Sequence, residues 1–417
     1  MSFEFLNYSF DEATGVAEFR YRNGAETFAE KVTFAIKRSE RYDKKALERA
    51  LFLAFMVLGT SYYKVAAGRE VKVGAKLDEW QVKFFDKVYQ EGLSQFAFEN
   101  GLTRDNLAHF VASEAVNEDT NGGAVNSDSE ASAAWSGSIE ADVLEDNRAL
   151  VLVSGGKDSL LTLEMLREQG VKCYAMYITS QESYPEIVDE AAGGMNPVIV
   201  RREIDKEALK RAGGMNGHVP VTIINEALAL VQAILLRCGK IALGIGMEGM
   251  EAHAWIDDLP VNHQWSKTAE AQKLLCDYTR KYISADLTID LPLEKYDELA
   301  IAQMFAEKCW AKYGDKFSSC NVANYKQDAD NRELKWCGKC AKCANSYLLF
   351  APFVAYEEQK KIFGHDLFED ADLTEIYKGL LGVDGVMKPF ECVASRAELK
   401  KAYRDRLPGY GELPFEI

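Results

Sequence analysis

No apolar run in this 417-residue chain approaches the ~20 residues a membrane-spanning helix needs, so the sequence offers no membrane span. Basic residues are in deficit: 49 Lys plus Arg against 65 Asp plus Glu leave a formal charge of −16. So acidic a chain repels a nucleic-acid backbone, which disfavours that partner unless a local basic patch exists. The start, Met1-Ser2-Phe3-Glu4-Phe5, lacks the basic stretch and apolar core of an export signal. With no such signal, nine scattered cysteines point to a reducing cytoplasm, where thiols are structural, ligating or catalytic. Internal repeats are absent as well, and nothing specifies an oligomeric state. A hydrophobic fraction of 47% is that of a soluble globular protein, and 417 residues are too many for one ordinary core.

Against these absences stands one dense signal. The apolar run Ala149-Leu150-Val151-Leu152-Val153 reads as a buried parallel strand, and Ser154-Gly155-Gly156-Lys157-Asp158-Ser159 follows it. Leu160, Leu161, Leu163 and Leu166 then recur at helical spacing until Gly170. A strand ending in a glycine turn that opens a helix aims backbone N–H groups and the helix dipole at one point, which suits a phosphate. Ser154 and Ser159 can donate hydroxyls, Lys157 adds charge, and Asp158 can reach a metal ion held by the phosphates. This is neither a Walker loop nor a dinucleotide fingerprint.

The N-terminal third reads as a β-meander: Ala17, Phe19 and Tyr21 alternate with polar residues, and Asn23-Gly24 signals a hairpin. Helices are expected at 44–60, 78–97 and 106–113, and a flexible acidic linker at 116–140. Strands and helices then alternate: strands near 149–153, 173–178, 197–200 and 240–245, and a long helix at 222–238. Alternation implies an α/β fold with a doubly wound parallel sheet and ligands beyond the carboxyl ends of its strands. The expected divisions are an N-terminal β-meander and helical domain (1–115), the linker, an α/β domain (141–310) and a C-terminal cysteine-bearing helical region (311–417). Residues 154–159, 177–180 (Tyr177 and Ile178 among them) and 246–251 would then line one crevice.

Cys320, Cys337, Cys340 and Cys343 are spaced C-x16-C-x2-C-x2-C, as for a tetrahedral four-thiolate metal shell. A redox dithiol or packed thiols are the alternatives, and an iron–sulfur cluster uses a similar ligand set. A closed shell leaves no open position, so its role would be to pin the C-terminal segment. His218, in Asn216-Gly217-His218-Val219-Pro220, either serves as an acid or base or merely satisfies backbone groups before a helix. Glu248, Glu251 and His253, after the fourth strand, are site candidates or a solvated loop. Asn262-His263-Gln264-Trp265-Ser266-Lys267 packs five polar groups around one aromatic, a density that suits ligand binding. Tyr62-Tyr63-Lys64 either reaches the same crevice or belongs to the core.

Ser154 to Ser159 resembles the pyrophosphate loop of the N-type ATP pyrophosphatases, which cleave ATP between the α and β phosphates and adenylate a substrate oxygen. Further segments narrow the likeness: Gly59-Thr60-Ser61-Tyr62-Tyr63-Lys64, Glu91 through Leu102, the NGHVP and NHQWSK stretches, and the cysteine cluster ending in Ala351-Pro352-Phe353. In that order they resemble the UDP-N-acetylmuramoyl-L-alanyl-L-glutamate epimerases of bacterial peptidoglycan synthesis, over roughly residues 3–353. The resemblance implies ATP, Mg2+ and a structural Zn2+, and a nucleotide-sugar peptide as the small-molecule substrate. ATP would contact Ser154, Gly155, Gly156, Lys157, Asp158, Ser159, Tyr177 and Ile178. His218, Glu248, His263 and Lys267 would carry the catalysis. The likeness departs at one place: where the family carries a Ser-Asn-Glu-Arg-Ser-like stretch, this chain has Gly246-Met247-Glu248-Gly249-Met250-Glu251. Glu248 keeps the acid, but the arginine, a natural carboxylate clamp, is missing, which leaves the identity of the acidic substrate open.

The implied chemistry is coherent. Inverting an amino-acid α-carbon requires removing its proton, which a free carboxylate resists because charge accumulates beside it. Transfer of AMP to the carboxylate removes that charge; one group then takes the proton and another returns one to the opposite face. The alternative is a ligase modifying a nucleobase or tRNA, like the 7-cyano-7-deazaguanine synthases, which also join a Ser-Gly-Gly loop to a cysteine cluster.

Overall fold

A computed structural model describes residues 2–37, 41–112, 144–247, 251–324 and 332–417. The stretch expected as a linker, 116–140, and Glu248 lie outside the described residues. Strands β1 (Phe3–Asp11), β2 (Val16–Asn23) and β3 (Glu26–Thr33) form the expected meander. Asp11 begins its first turn by accepting from the Ala13 N–H at 2.8 Å. Gly15 ends it at φ +75°, where a Cβ would lie 2.5 Å from the Phe34 carbonyl oxygen. Period-two alternation buries Phe3, Phe5, Phe19, Tyr21 and Phe28. Helix Lys44–Leu58, capped by Asp43 and buried throughout from Ala50 to Leu58, packs on that aromatic face. The Tyr21 hydroxyl donates to its Phe55 carbonyl at 2.9 Å.

β4 (Val71–Val73) adds to β1 in parallel. The helix expected at 106–113 is not present over 107–112. His109 N–H bonds the Arg69 carbonyl at 3.0 Å and Phe110 N–H bonds Asp86 Oδ1 at 2.7 Å. Tertiary partners thus hold this stretch extended, overriding its apolar spacing.

The alternating region supplies β5 (Glu145–Leu152), β6 (Lys172–Thr179), β7 (Val198–Glu203) and β8 (Cys238–Ala242). A small hairpin of β9 (Ala254–Ile256) and β10 (Leu259–Val261) precedes β11 (Thr288–Asp290). Among the described residues one nine-stranded sheet runs β11-β8-β5-β6-β7-β3-β2-β1-β4. Its five strands β11 to β7 are mutually parallel, and β3 joins β7 antiparallel. At that joint Arg202 and Glu30 form a buried ion pair, and Arg202 also donates to the Ser61 hydroxyl at 2.9 Å. Leu150 and Met176 face a core shared with helix Val221–Leu235 and the aromatic meander. Ala149, Val151 and Ala175 face helix Lys157–Glu168 and the C-terminal helices. Helices therefore cover both faces, as buried parallel strands require. From β5 the chain goes to β6 and β7 on one side and returns to β8 on the other. The crevice beyond the carboxyl ends of β5 and β8 is thus the topological switch point, where open α/β sheets bind ligands.

Candidate active site at the switch point

The 154–159 turn lies at that point, between β5 and helix Lys157–Glu168. Gly155 takes φ +85°, and Gly156 caps the helix without a side-chain bond, so the first helical N–H groups have no side-chain acceptor at the cap. Gly244, just beyond β8, packs so tightly that a Cβ there would lie 2.4 Å from the Asp158 carbonyl carbon. The Ser159 hydroxyl braces the turn, accepting from Ser154 N–H at 3.2 Å and donating to the Gly156 carbonyl at 3.0 Å. Lys157 is buried, and its ammonium donates to Asp158 Oδ1 at 2.5 Å and Glu298 Oε2 at 2.6 Å. Burial alone would lower its pKa; the two carboxylates outweigh that and hold it above its ordinary value. Glu298 opens helix Glu298–Lys308 after β11, so it also lies at the carboxyl end of the sheet.

Tyr177 and Ile178 end β6 beside the turn, and alternation sends them to opposite faces. Tyr177 packs with the core around helix Lys157–Glu168, and Ile178 with the other. The Tyr177 ring is 6.5 Å from that of Tyr184, over which the Arg332 guanidinium sits at 4.5 Å.

Three of the chain's five histidines meet along the same edge. His218 comes from the loop between helices Lys206–Ala212 and Val221–Leu235, His253 and His263 from either side of the β9–β10 hairpin. The His218 and His263 rings are 4.3 Å apart, and those of His253 and His263 are 6.4 Å apart. Burial, followed by neighbouring cations and imidazoles, pushes His218 down to about 3 and His253 to about 4. His263 is also held at about 4, chiefly by burial. All three are neutral at pH 7, so each ring keeps one nitrogen lone pair. Gln95 fixes the tautomer of His263: its amide N–H donates to Glu99 at 2.7 Å, which turns its oxygen to His263 Nδ1, 2.7 Å away. Nδ1 therefore carries the hydrogen, and Nε2 presents a lone pair.

Lys64 steadies the His218 loop, bonding Asn216 Oδ1 at 2.6 Å and the Gly217 carbonyl at 3.0 Å, whereas Tyr62 and Tyr63 are core. Within 262–267, Trp265 donates to Glu91 at 2.9 Å and Gln272 to the Ser266 carbonyl at 2.7 Å. Lys267 ends the short helix there and acts electrostatically on both His263 and the buried Glu226. Burial raises Glu226 to about 8. Glu251 meets Lys388 at 2.8 Å and Arg396 at 3.4 Å, so cations from the C-terminal segment reach the loop that lacks the expected arginine. Phe390 of that segment stacks on His253 with ring centroids 5.1 Å apart.

The four cysteines converge as expected. Cys320–Cys340 and Cys337–Cys343 sulfurs are 3.7 Å apart and Cys340–Cys343 are 3.5 Å apart. All four lie within 4.8 Å of one another. A tetrahedron with zinc–sulfur bonds of about 2.3 Å has edges of about 3.8 Å, so the donor set fits a zinc ion. Glu298, Gln95, Lys388 and Arg396 were not singled out from sequence. Only Gln95 carried a signal, lying within the 91–102 stretch.

Fold and site together define an α/β protein whose parallel-dominated sheet gathers a glycine turn with a buried, carboxylate-paired lysine and a neutral histidine cluster at one edge. Two family models cover most of the chain: the MurL N-terminal domain matches residues 1–289 and the MurL C-terminal domain residues 316–406. The chain belongs to the MurL family of epimerases, which are isomerases. A UDP-N-acetyl-alpha-D-muramoyl-L-alanyl-L-glutamate epimerase of Micromonospora sp. is 34% identical over 408 residues, 95% of this chain and 85% of that one. Proteins of the same name from Salinispora tropica and Xanthomonas oryzae pv. oryzae are 33% and 30% identical, over 95% and 96% of this chain and 83% and 84% of theirs. Among the described residues no helix is long and apolar enough to cross a membrane.

Proposed function

We propose that this protein is an ATP-dependent epimerase that adenylates the terminal glutamate of UDP-N-acetylmuramoyl-L-alanyl-L-glutamate and inverts its α-carbon in peptidoglycan precursor synthesis. What supports this reading is the presence, in a chain of this family, of a glycine turn suited to phosphate and of neutral histidines on loops at the same carboxyl-terminal edge of one sheet. ATP is the co-substrate, its phosphates received by 154–159 and its nucleoside beside Tyr177 and Ile178. Asp158 and Glu298 are the carboxylates that could hold Mg2+, which would neutralise phosphate charge. Their trio with Lys157 carries a net charge of −1, so an anion is admitted once a cation occupies the carboxylates and Lys157 is freed to turn toward the phosphates. Zn2+ in the four-cysteine shell has a structural role, and the cytoplasm is the compartment of the reaction.

With AMP on the carboxylate, a neutral imidazole takes the α-proton. His263, whose Nε2 lone pair is set by Gln95, is the better placed base. His218 and His263 are in contact, which leaves no room for an α-carbon between them. The two therefore serve one face, and a second group must return a proton from the other, a role for which Lys267 is a candidate from the structure and Glu248 from the sequence alone. Water then releases AMP. Lys388 and Arg396 stand in for the missing arginine as cations near an acidic substrate. The test is purified protein with ATP, Mg2+ and the peptide: one AMP and one pyrophosphate per D-glutamyl product are expected. Inversion without ATP refutes the mechanism, and ATP-dependent coupling of an amine establishes the ligase alternative.

A further inference from the structure

The two chain segments that bring in Cys320 and Cys337 also press on the 154–159 turn. Ser318 N–H donates to the Gly155 carbonyl at 3.1 Å. On the other side of Gly155, a Cβ would lie 2.5 Å from Leu334 Cδ1 and 2.9 Å from Ile187 Cγ2. Gly155 is therefore enclosed in its left-handed conformation, and only a residue without a side chain fits. The two segments are fastened to each other next to these contacts. Ser318 Oγ donates to the Lys335 carbonyl at 2.8 Å, and Asn324 and Lys335 exchange side-chain to backbone bonds of 2.9 Å. Cys320 N–H returns to Ser318 Oγ at 3.0 Å. Ser318 stands two residues before one ligand and Leu334 three before another, so an ion in the four-thiolate shell ties the segments where they grip the turn.

A turn that binds an anion through backbone N–H groups depends on how firmly those dipoles are held. We infer that Ser318 and Leu334 are positioning residues for the 154–159 turn, and that metal loading at the cysteine cluster sets the affinity of the turn for nucleotide. This rests on the phosphate-binding reading of the turn. Without the ion, the segments lose the tie at their cysteine ends and keep only the Ser318–Lys335 and Asn324–Lys335 bonds, so the hydrogen-bond donor and the apolar wall at Gly155 loosen together. The metal site thus acts on the nucleotide site through two residues that contact the turn at Gly155.

Amide hydrogen exchange over 154–159 and calorimetric ATP–Mg2+ binding, on metal-loaded and chelator-stripped full-length protein, test the inference. Stripping should speed exchange in this turn and raise the ATP Kd on the order of tenfold, the effect of losing about one hydrogen bond and its packing. Leu334→Ala should keep its full metal content, speed exchange in the turn, and raise KM for ATP while leaving KM for the peptide unchanged. If the stripped protein unfolds, Leu334→Ala decides. Unchanged exchange and Kd in a folded stripped protein, or in metal-loaded Leu334→Ala, overturns the proposal. If loaded wild type binds no ATP, the nucleotide reading falls, and exchange alone still decides whether the metal positions the turn.

Discussion

Replacing Lys157 by methionine probes the turn most sharply, because it keeps the aliphatic stem and deletes only the ammonium. That ammonium joins Asp158 and Glu298, and the lysine, aspartate and glutamate side chains are 9%, 26% and 12% exposed. All three are below a third exposed, so the loss is not screened away as at an open surface. Removing one partner of a buried ion pair typically costs 3–5 kcal/mol, and partial exposure of Asp158 places the expected loss at about 3 kcal/mol. Most of it is the repulsion of two carboxylates left facing each other. Glu298→Gln added to Lys157→Met should therefore recover part of the stability, a coupling of 1 kcal/mol or more read from a double-mutant cycle by urea unfolding. ATP binding should not recover, because the phosphate-facing charge is still missing. A Lys157→Met protein as stable as wild type, or one that binds ATP–Mg2+ undiminished, refutes the reasoning.

Protein purified without added metal should contain about one zinc per chain, and Cys340→Ser should lower metal content and Tm together, as elemental analysis and calorimetry will read. Glu226→Gln should stabilise the protein in a pH-dependent way. Burial raises this carboxyl to about 8, so its neutral form favours folding in acid, and that benefit is lost as pH rises from about 4.5 toward 8. The variant's advantage, on the order of 4–5 kcal/mol near pH 8, should vanish near pH 4; a constant difference contradicts the assignment. The histidine cluster acts in the opposite sense. With His218, His253 and His263 depressed to about 3, 4 and 4, stability is present above about pH 6.5 and lost as pH falls toward 4, and replacing His218 by Asn should flatten that part of the curve. Gln95→Leu frees the tautomer of His263 and should lower inversion about tenfold or more while sparing pyrophosphate release.

Four strands of the parallel half were legible because each carries a short apolar run, those of β5 and β8 leading into glycine turns, and position in such a sheet dictates where ligands go. The four-cysteine shell was legible because x2 spacing has few other uses. β4 and β9 to β11, three residues each, are too short to show any period. The joining of meander to parallel sheet was hidden because β3 meets β7 across 170 residues of chain, through a buried Arg202–Glu30 pair that local patterning cannot reveal. Residues 107–112 misled because their helical spacing yields to bonds with Arg69 and Asp86. Glu298 and Arg396 reach the site from helices whose first turns look like any other acidic or basic helix end. Lys64 and Gln95 act by orienting loops and imidazoles, a role written in distances and not in residue type.

The central claim is that ATP activates the glutamate so that a neutral imidazole can take its α-proton. Running the reaction in heavy water and examining the glutamyl α-carbon tests it directly. With ATP and Mg2+, each inverted product should carry one deuterium at that carbon. Without ATP, neither exchange nor inversion should occur, since the free carboxylate leaves the proton too weakly acidic. Inverted product that keeps its original α-hydrogen, or exchange that proceeds without ATP, would contradict it.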